Sequence, residues 1–255
     1  MLFNNFLNLF KKEEEASPSA LTDYSGMVVD FHNHVLFGID DGAKTLDDSV
    51  MMLRNFADLG IKKVIASPHS MADGYINSNE KILQVRDVVR EAIKKNGIDI
   101  QFDAAAEYYM DELFMEKLER KDLLTIGKNY VLMELSYLSK PTNTGDAVYK
   151  LQVSGYNLIL AHPERYPYYY EDSFAHYRDF KDRGVYFQIN LGSLVGKYGG
   201  QARYTAEKMI DEGMVEFVSS DLHTLAQFEM LRECLKSKHL EKLLNSDKLR
   251  NKTLL

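Results

Sequence analysis

The chain has 255 residues, of which 45% are apolar, and it carries 31 Lys and Arg against 38 Asp and Glu, a formal net charge of −7. This acidic balance excludes a nucleic-acid-binding protein that works through a basic surface. The single cysteine excludes a disulfide framework and a cysteine-built zinc site, so any metal site must be made from His, Asp and Glu. The length suits one large barrel or two modest domains.

Residues 1–25 are interpreted as an N-terminal extension, because the charged run KKEEE and the small-residue stretch ASPSA interrupt a continuous core pattern. Within it, Phe3, Phe6, Leu7 and Phe10 fall at helical spacing. They predict a short amphipathic helix that packs on its own domain or contacts a membrane surface or a partner, and periodicity does not separate these alternatives. The segment lacks the features of a signal peptide, and no stretch has the roughly 18–20 apolar residues that cross a bilayer. We therefore expect a cytoplasmic protein.

From residue 26 onward, short apolar segments alternate with longer segments of helical character. The predicted strands are MVVDF, KVIAS, IDIQFDA, YVLMELS, NLILA, VYFQIN and VEFVSS, at residues 27–31, 63–67, 98–104, 130–136, 157–161, 185–190 and 215–220. Helical segments end at Gly60, Gly97, Gly184 and Gly213, and glycine is favoured just past a helix C-terminus. Seven β–α units in series predict a parallel sheet closed into a barrel, with an open doubly wound sheet as the alternative.

Residues that can bind a metal lie near the C-terminal ends of six of the seven predicted strands. They are His32, His34, His69, Glu107, Glu134, His162, Asp221 and His223. In barrels of parallel strands this end carries the active site, whereas a chance scatter would place such residues equally often on helices. Their joint placement, rather than any single motif, predicts a metal centre.

The donor types indicate the metals and the chemistry. In H-x-H and D-x-H, side chains alternate along an extended chain, so both donors point to the same side. A set of imidazoles and carboxylates without thiolate suits Mn²⁺, Fe²⁺ or Zn²⁺. Two or three such ions close together activate a water and hold phosphate oxygens. Arg165 follows His162 by three residues, where it can bind a phosphate or pair with Glu164.

A dense run of tyrosines follows the fifth strand, at Tyr166, Tyr168, Tyr169 and Tyr170. These rings can stack on an aromatic substrate or pack against the rim of the barrel. The sequence leaves both alternatives open. By contrast, His176 and His239 lie among charged residues of helical segments and are interpreted as surface residues.

Together, the segments HNHVLFGIDDG, PH, AAEYY, AHPERY and SSDLH resemble the polymerase and histidinol phosphatase (PHP) superfamily. GIDDGAKTLDDS and HPERY are most similar to the bacterial metal-dependent protein-tyrosine phosphatases of capsular and exopolysaccharide loci. The resemblance covers about residues 27–235. It implies a distorted seven-stranded, TIM-like (β/α) barrel, the PHP fold, formed by a single domain of residues 26–255 after the short extension.

The resemblance also implies a cluster of two or three divalent ions, Mn²⁺ in the first place and otherwise Fe²⁺ or Zn²⁺. Its implied ligands are His32, His34, Asp41, His69, Glu107, Glu134, His162, Asp221 and His223. Asp41 is chosen over Asp40 because the family aspartate precedes a glycine. One departure is Ser70, since the family often has a further histidine after the residue equivalent to His69. The N-terminal extension is a second departure, because it lies outside the family core.

By the same resemblance, Arg165, Asp221 and His223 take part in catalysis, and Arg165 with Arg203 binds the substrate. We therefore predict a metal-dependent phosphomonoester hydrolase that removes phosphate from phosphotyrosine with a metal-activated water. Its expected partner is a phosphotyrosine-containing protein, a bacterial tyrosine kinase of capsule or exopolysaccharide synthesis.

Cysteine-based tyrosine phosphatases are excluded, because they require an arginine six residues after the nucleophilic cysteine. Here the only cysteine is Cys234, and six residues later stands Leu240. Two alternatives stay open. One is a phosphatase of small molecules, such as a histidinol-phosphate phosphatase, and the other is a non-catalytic partner of a kinase complex.

Overall fold

The computed structural model describes residues 19–170 and 173–255. The predicted amphipathic helix at the N-terminus lies outside the described residues, and its contact with a membrane or partner stays a prediction. The end of the predicted extension lies against the body of the protein, where the Tyr24 hydroxyl donates a hydrogen bond to the Leu231 carbonyl at 2.6 Å. No helix within the described ranges is long and apolar enough to span a membrane.

Helices and parallel strands alternate along the described chain. The helices are α1 (Leu46–Asp58), α2 (Asn79–Lys95), α3 (Glu112–Glu119), α4 (Thr144–Val153), α5 (Ala175–Asp182), α6 (Gly200–Asp211), α7 (Phe228–Cys234) and α8 (Lys238–Leu244). The strands are β1 (Val29–Asp30), β2 (Lys63–Ala66), β3 (His69–Ser70), β4 (Gln101–Ala104), β5 (Glu107–Tyr109), β6 (Tyr130–Glu134), β7 (Asn157–Ala161), β8 (Tyr186–Asn190) and β9 (Phe217–Ser219).

The strands form two parallel sheets rather than the single seven-stranded sheet that the sequence predicts. One sheet has the order β1-β2-β4 and the other the order β3-β5-β6-β7-β8-β9. The prediction of seven strands was wrong because two predicted strands are each followed by a second, short strand. After β2 the ladder is interrupted at Pro68, which has no N–H to donate, and the chain then pairs as β3, with His69 opposite Glu107. Similarly, β4 is followed by β5 after two alanines.

Backbone hydrogen bonds connect the two sheets. The His34 N–H, after β1, donates to the Leu222 carbonyl, after β9, at 2.9 Å. After β9, the Asp221 N–H donates to the His32 carbonyl at 2.7 Å, so the segment after the last strand pairs with the segment after β1. The segments that follow the first and the last strand are therefore joined to each other, and both carry predicted metal ligands.

The strand faces alternate between two hydrophobic clusters. One face packs under the helices in a large cluster that includes Val131 and Met133 of β6. The other face forms what is here called the small apolar cluster, whose buried members are Val29, Phe31, Ile65, Ala105, Ile126, Leu132, Ile159, Ala161, Phe217 and Leu254. Since side chains alternate with period two, β2, β6, β7 and β9 contribute to both clusters.

Local sequence signals place the helix ends. Helix α1 begins with a capping box, in which the Thr45 side chain accepts from the Asp48 N–H and the Asp48 carboxylate accepts from the Thr45 N–H. The glycines predicted at helix ends have positive φ, for example 88° at Gly60 and 76° at Gly184. Glycine adopts this conformation without the steric cost that a Cβ imposes.

We predict that Ile159→Ala lowers the free energy of unfolding by about 2–5 kcal/mol, because Ile159 is fully buried in the small apolar cluster. The control is Leu138→Ala, since Leu138 is 97% exposed and its truncation is expected to change stability by less than about 0.5 kcal/mol. Urea unfolding of both variants measures the difference. Equal stabilities would contradict the packing described for this cluster.

Candidate active site

The strand face that carries the small apolar cluster also carries the polar site. On β6, Leu132 belongs to this cluster and Glu134 follows two residues later, on the same face. Ala105 and Glu107 have the same relation at β5. Polar side chains therefore gather at the C-terminal ends of the strands, directly beyond the apolar floor.

A cavity of about 430 Å³ opens at this end of the sheets. It is lined by Asp41, His69, Met71, Glu107, Tyr109, Glu134, Tyr137, His162, Arg165, Lys197, Tyr198, Asp221, His223 and Gln227. Two further predicted donors, His32 and His34, are fully buried next to these residues. The nine predicted ligands thus lie at one place in the fold.

Glu107 lies at the centre of the histidines. Its Oε1 is 3.1 Å from His32 Nε2 and 3.2 Å from His162 Nε2. Its Oε2 is 3.0 Å from His69 Nδ1 and 3.7 Å from His34 Nε2. Because the Glu107 side chain is only 1% exposed, these four imidazoles, rather than water, form its surroundings.

Asp221 is the second carboxylate that several histidines share. Its Oδ1 lies 3.5 Å from Nε2 of both His32 and His34, and 3.6 Å from His223 Nδ1. Its Oδ2 accepts a hydrogen bond from Arg165 Nη1 at 2.9 Å. Asp221 therefore connects the histidines to the arginine.

Asp41 and Glu134 complete the set on the more open side. The Asp41 Oδ1 is 3.6 Å from His69 Nε2 and 3.5 Å from His223 Nε2. The Glu134 Oε2 is 4.0 Å from His69 Nδ1, and its Oε1 is 3.5 Å from His162 Nε2. Asp41 is half exposed, whereas the other carboxylates are buried.

The donor atoms fall into overlapping groups that suit metal ions. The groups are His34–Asp41–His69–His223, His32–Glu107–His162, His32–His34–Asp221 and His69–Glu107–Glu134, each with its donor atoms within 4.8 Å of one another. Several of these buried atoms form no hydrogen bond: His32 Nε2, His34 Nε2, His69 Nδ1 and Glu107 Oε2. Buried polar atoms are rarely left without a partner. A divalent cation would satisfy them, so the residues present fit a metal cluster.

Neighbouring side chains orient two of the buried imidazoles. His34 Nδ1 lies 2.8 Å from Asp40 Oδ2, and His32 Nδ1 lies 2.8 Å from the amide oxygen of Gln188. Since both partners only accept, Nδ1 carries a proton in each ring, and Nε2 is the atom that faces the donor groups. Asp40 thus contacts the back of an imidazole, while Asp41 lies within a donor group.

The backbone around the site has unusual geometry. A Cβ at Gly42 would lie 2.0 Å from the His34 carbonyl oxygen, so this turn requires glycine. His162 and Asp221 adopt left-handed conformations with φ of 34° and 50°, which cost about 1–3 kcal/mol each for residues with a Cβ. The strain lies in residues of the site itself.

Charge balance shifts the pKa values of the buried groups. Burial raises the pKa of Glu107, but the positive charges of His32 and His69 outweigh it and hold this pKa well below its usual value. Burial likewise opposes ionisation of Asp221, but the positive charge of His32 outweighs it and holds the pKa of Asp221 well below its usual value. Burial opposes the charged form of His32 and lowers its pKa. The negative charges of Glu107 and Asp221 outweigh this effect and raise the pKa of His32 to about 9. A bound cation would take over the role of the imidazole protons, so metal binding is expected to release protons.

The pKa values of two other histidines are shifted downward instead. Burial and the charge of Arg165 lower the pKa of His162 to about 4. Burial and the charge of His34 lower the pKa of His223 to about 4. Both imidazoles are therefore neutral near pH 7, the form that donates a lone pair to a metal.

Arg165 lies in the cavity between two aromatic rings. Its guanidinium carbon is 4.8 Å from the centroid of the Tyr137 ring and 4.0 Å from that of Tyr198. Sequence reasoning identified Arg165 but missed both tyrosines and Lys197, which also lines the cavity. Tyr137 follows Glu134 by three residues at a strand end, which is a usable signal, whereas no motif marks Lys197 or Tyr198.

The second predicted substrate residue lies elsewhere. Arg203 is on α6, its side chain is half exposed, and it pairs with Glu207 at 2.8 Å. It is not among the residues that line the cavity, and its role in substrate binding stays a prediction. His239, interpreted from the sequence as a surface residue, is partly exposed and lies near Glu207 and Asp211.

The tyrosine run packs against the protein rather than facing the cavity. Tyr166 is fully buried and its hydroxyl donates to the Ala161 carbonyl at 3.0 Å. Tyr169 is buried among other rings, and the Tyr168 hydroxyl donates to the Ser136 carbonyl at 2.6 Å. Of the two alternatives left open by the sequence, the geometry favours packing.

A family profile described as "Capsular polysaccharide synthesis, CpsB/CapC" matches residues 28–251, most of the chain and all nine predicted ligands. The chain belongs to this family. It is 29% identical over 201 residues to the putative tyrosine-protein phosphatase CapC of Staphylococcus aureus, covering 78% of each chain. It is also 29% identical over 199 residues to the tyrosine-protein phosphatase YwqE of Bacillus subtilis (strain 168), again covering 78% of each.

The fold agrees with that of a solved relative. A crystal structure from work on YwqE of Bacillus subtilis and CpsB of Streptococcus pneumoniae, described as unique metal-dependent tyrosine phosphatases, matches with a TM-score of 0.77. The match has 28% sequence identity and covers 86% of this chain and 89% of the other. The resemblance to metal-dependent tyrosine phosphatases that the sequence indicates is thereby confirmed.

We predict that Gln188→Met weakens Mn²⁺ binding by about 10–100-fold, because it removes the partner that orients His32. Gln188 is fully buried, and its amide nitrogen donates a hydrogen bond to Asn190 Oδ1 at 2.8 Å. The substitution therefore also removes a hydrogen bond to Asn190. Calorimetric titration of chelator-treated protein measures the affinity. Gln152→Met, at an exposed glutamine that bonds the Arg183 carbonyl, is the matched control. Unchanged affinity in a folded Gln188→Met protein would contradict an orienting role.

Proposed function

We propose that this chain is a metal-dependent tyrosine-protein phosphatase that hydrolyses phosphotyrosine in a protein substrate. The observation that carries the proposal is Arg165, held in the same cavity as the overlapping groups of metal donors. A guanidinium and several cations are the groups that neutralise a phosphoryl group during transfer. The family and the names of its relatives support the same activity.

Arg165 is positioned by groups on every side. Asp221 Oδ2 accepts from its Nη1 at 2.9 Å, and the same oxygen accepts from Asn190 Nδ2 at 2.7 Å. The rings of Tyr137 and Tyr198 flank the guanidinium. Arg165 therefore keeps donors free to bind phosphate oxygens without having to reorganise at the time of reaction.

We propose that His32, His34, Asp41, His69, Glu107, Glu134, His162, Asp221 and His223 hold two or three divalent ions, with Mn²⁺ first and Fe²⁺ or Zn²⁺ as alternatives. Such ions supply positive charge to the phosphate oxygens and lower the pKa of a water. Asp221 would hold the guanidinium of Arg165 in place. His223, whose imidazole is neutral near pH 7, would donate a nitrogen lone pair to a metal ion.

The walls of the cavity suit an aromatic phosphate ester. Tyr109, Tyr137 and Tyr198 line it together with Arg165, and aromatic side chains pack well against a phenyl ring. A protein nucleophile is not needed for this chemistry. The only cysteine, Cys234, is buried, donates to the Leu191 carbonyl, and has a pKa that burial raises to about 12, so its thiol is unsuited to attack.

Two finer features belong to the same proposal. We propose that the two sheets close into a distorted (β/α) barrel, supported by the hydrogen bonds of the His34 and Asp221 N–H groups, which join the segments after β1 and β9. We also propose that the substrate is a tyrosine kinase of capsule or exopolysaccharide synthesis, supported by the description of the family.

The test is hydrolysis of p-nitrophenyl phosphate and of a phosphotyrosyl peptide by purified protein. Chelator treatment is expected to abolish both activities and Mn²⁺ to restore them. Arg165→Ala is expected to lower kcat/KM by about 10²–10³-fold with metal bound. Arg165→Lys should recover part of the loss, because lysine keeps the charge but not the planar fork of donors.

Arg232→Ala is the matched control, since Arg232 is exposed on α7, lies near Glu229 and does not line the cavity. It is expected to stay within about twofold of the unaltered protein. Activity that is indifferent to chelator and to Arg165→Ala would overturn the proposal. High turnover of histidinol phosphate with little turnover of the phosphotyrosyl peptide would instead support the small-molecule alternative, and a folded, metal-loaded protein without activity would support a non-catalytic partner.

A further inference from the structure

A second cavity, of about 290 Å³, adjoins the catalytic one. It is lined by Gly42, Ala43, Lys44, Asp48, Met52, His223, Thr224, Leu225 and Ala226. Met52 and Ala43 are buried and form its apolar interior together with Leu225 and Ala226. We call this cavity the side pocket.

One wall of the side pocket is the start of α1. There the Asp48 Oδ2 accepts from the Thr45 N–H at 2.9 Å and from the Thr45 hydroxyl at 2.9 Å. One oxygen of the Asp48 carboxylate is therefore already bonded within the capping box, which holds this carboxylate at the start of α1. On this wall, a ligand would contact mainly the side chains of Ala43 and Met52.

The other wall is the turn at residues 224–227, which a second capping box holds. Gln227 Oε1 accepts from the Thr224 N–H at 3.1 Å and from the His223 N–H at 2.6 Å. Both walls are thus fixed by hydrogen bonds within their own segments. A pocket that is already formed costs little to fill, because few groups must be ordered on binding.

The side pocket is continuous with the metal centre. His223 lines both cavities, and Asp41, whose carboxylate is 3.5 Å from His223 Nε2, directly precedes Gly42 of the side pocket. A group in the side pocket therefore lies one side chain away from the metal donors. When a phosphotyrosine occupies the catalytic cavity, the group best placed to enter is another side chain of the same substrate chain.

We propose that the side pocket is a specificity subsite that binds an apolar side chain close in sequence to the phosphotyrosine of the substrate. The inference rests on the proposed phosphatase function and names the substrate feature that the same site selects. Its occupant is an aliphatic or aromatic side chain, because the interior is apolar and its one carboxylate is already bonded. Free phosphotyrosine and p-nitrophenyl phosphate are too short to use it.

The test begins with a set of phosphotyrosyl peptides. In each peptide one of the three residues on either side of phosphotyrosine is leucine, serine or aspartate, and the others are glycine or alanine. At one position leucine is expected to raise kcat/KM by about tenfold over serine, mostly through KM. Free phosphotyrosine and p-nitrophenyl phosphate, hydrolysed in parallel, report the phosphatase activity itself.

The variant Ala226→Leu then fills the side pocket without adding charge. Ala226 is exposed, so the substitution is expected to leave the fold intact, and it should abolish the preference for leucine while p-nitrophenyl phosphate is still hydrolysed. Ala175→Leu, at an exposed alanine that lines neither cavity, is the matched control and should keep the preference.

Each outcome is decisive for the subsite. A preference that appears at one position and is lost in Ala226→Leu alone supports it. Equal kcat/KM for leucine, serine and aspartate at all six positions, with the small esters still hydrolysed, overturns the subsite and leaves the phosphatase function standing. A preference that survives in Ala226→Leu also overturns it, whereas loss of all hydrolysis in the unaltered protein contradicts the proposed function instead.

Discussion

The site depends on the contacts between the buried carboxylate of Glu107 and the four histidines around it. A carboxylate that is removed from water is costly unless opposite charge or hydrogen bonds compensate it. Here His32, His34, His69 and His162 surround it within 3.7 Å. Yet Oε2 of Glu107 and the facing nitrogens of several imidazoles form no hydrogen bond. The cluster balances the charge of Glu107 with the protons of the imidazoles, and we propose that divalent cations take the place of these protons.

The fold brings these groups together through the alternation of side chains along parallel strands. Leu132 and Ala105 of the small apolar cluster are followed, two residues later, by the donors Glu134 and Glu107. The apolar layer closes the site from below, so the donors contact one another and the cavity rather than bulk water. Polar residues of the strands, Gln188 and Asn190, then hold His32 and Asp221 in place. Metal donors, the arginine and the strands that support them form one connected structure.

Much of this arrangement can be predicted from the sequence, because it depends on strand ends. Eight of the donors were predicted as a set because they lie near strand ends, and Asp41 was added by the family resemblance. The structure brings all nine together. The division into β2 and β3 was not predicted, because the effect of Pro68 on the ladder depends on which neighbours the strand has on each side.

Other parts of the site carry no signal that sequence reasoning can use. Gln188 lies inside a strand and has the pattern of an ordinary strand residue, although it is bonded to His32. Tyr198 and Lys197 reach the cavity from a loop whose path follows from tertiary packing. Arg203 was also predicted to bind the substrate, and its side chain pairs with Glu207 on its own helix, so its role stays a prediction.

The central claim is that Glu107 and its histidines bind a cluster of divalent ions, and anomalous X-ray diffraction tests it most directly. Crystals of the full chain, chelator-treated and then soaked in Mn²⁺, would be measured with X-rays just above and just below the manganese absorption edge. We predict at least two manganese peaks that share Glu107 as a ligand, one with His32 and His162 and one with His69 and Glu134. Absence of manganese at Glu107, in crystals where the donors have the arrangement described above, would contradict the account.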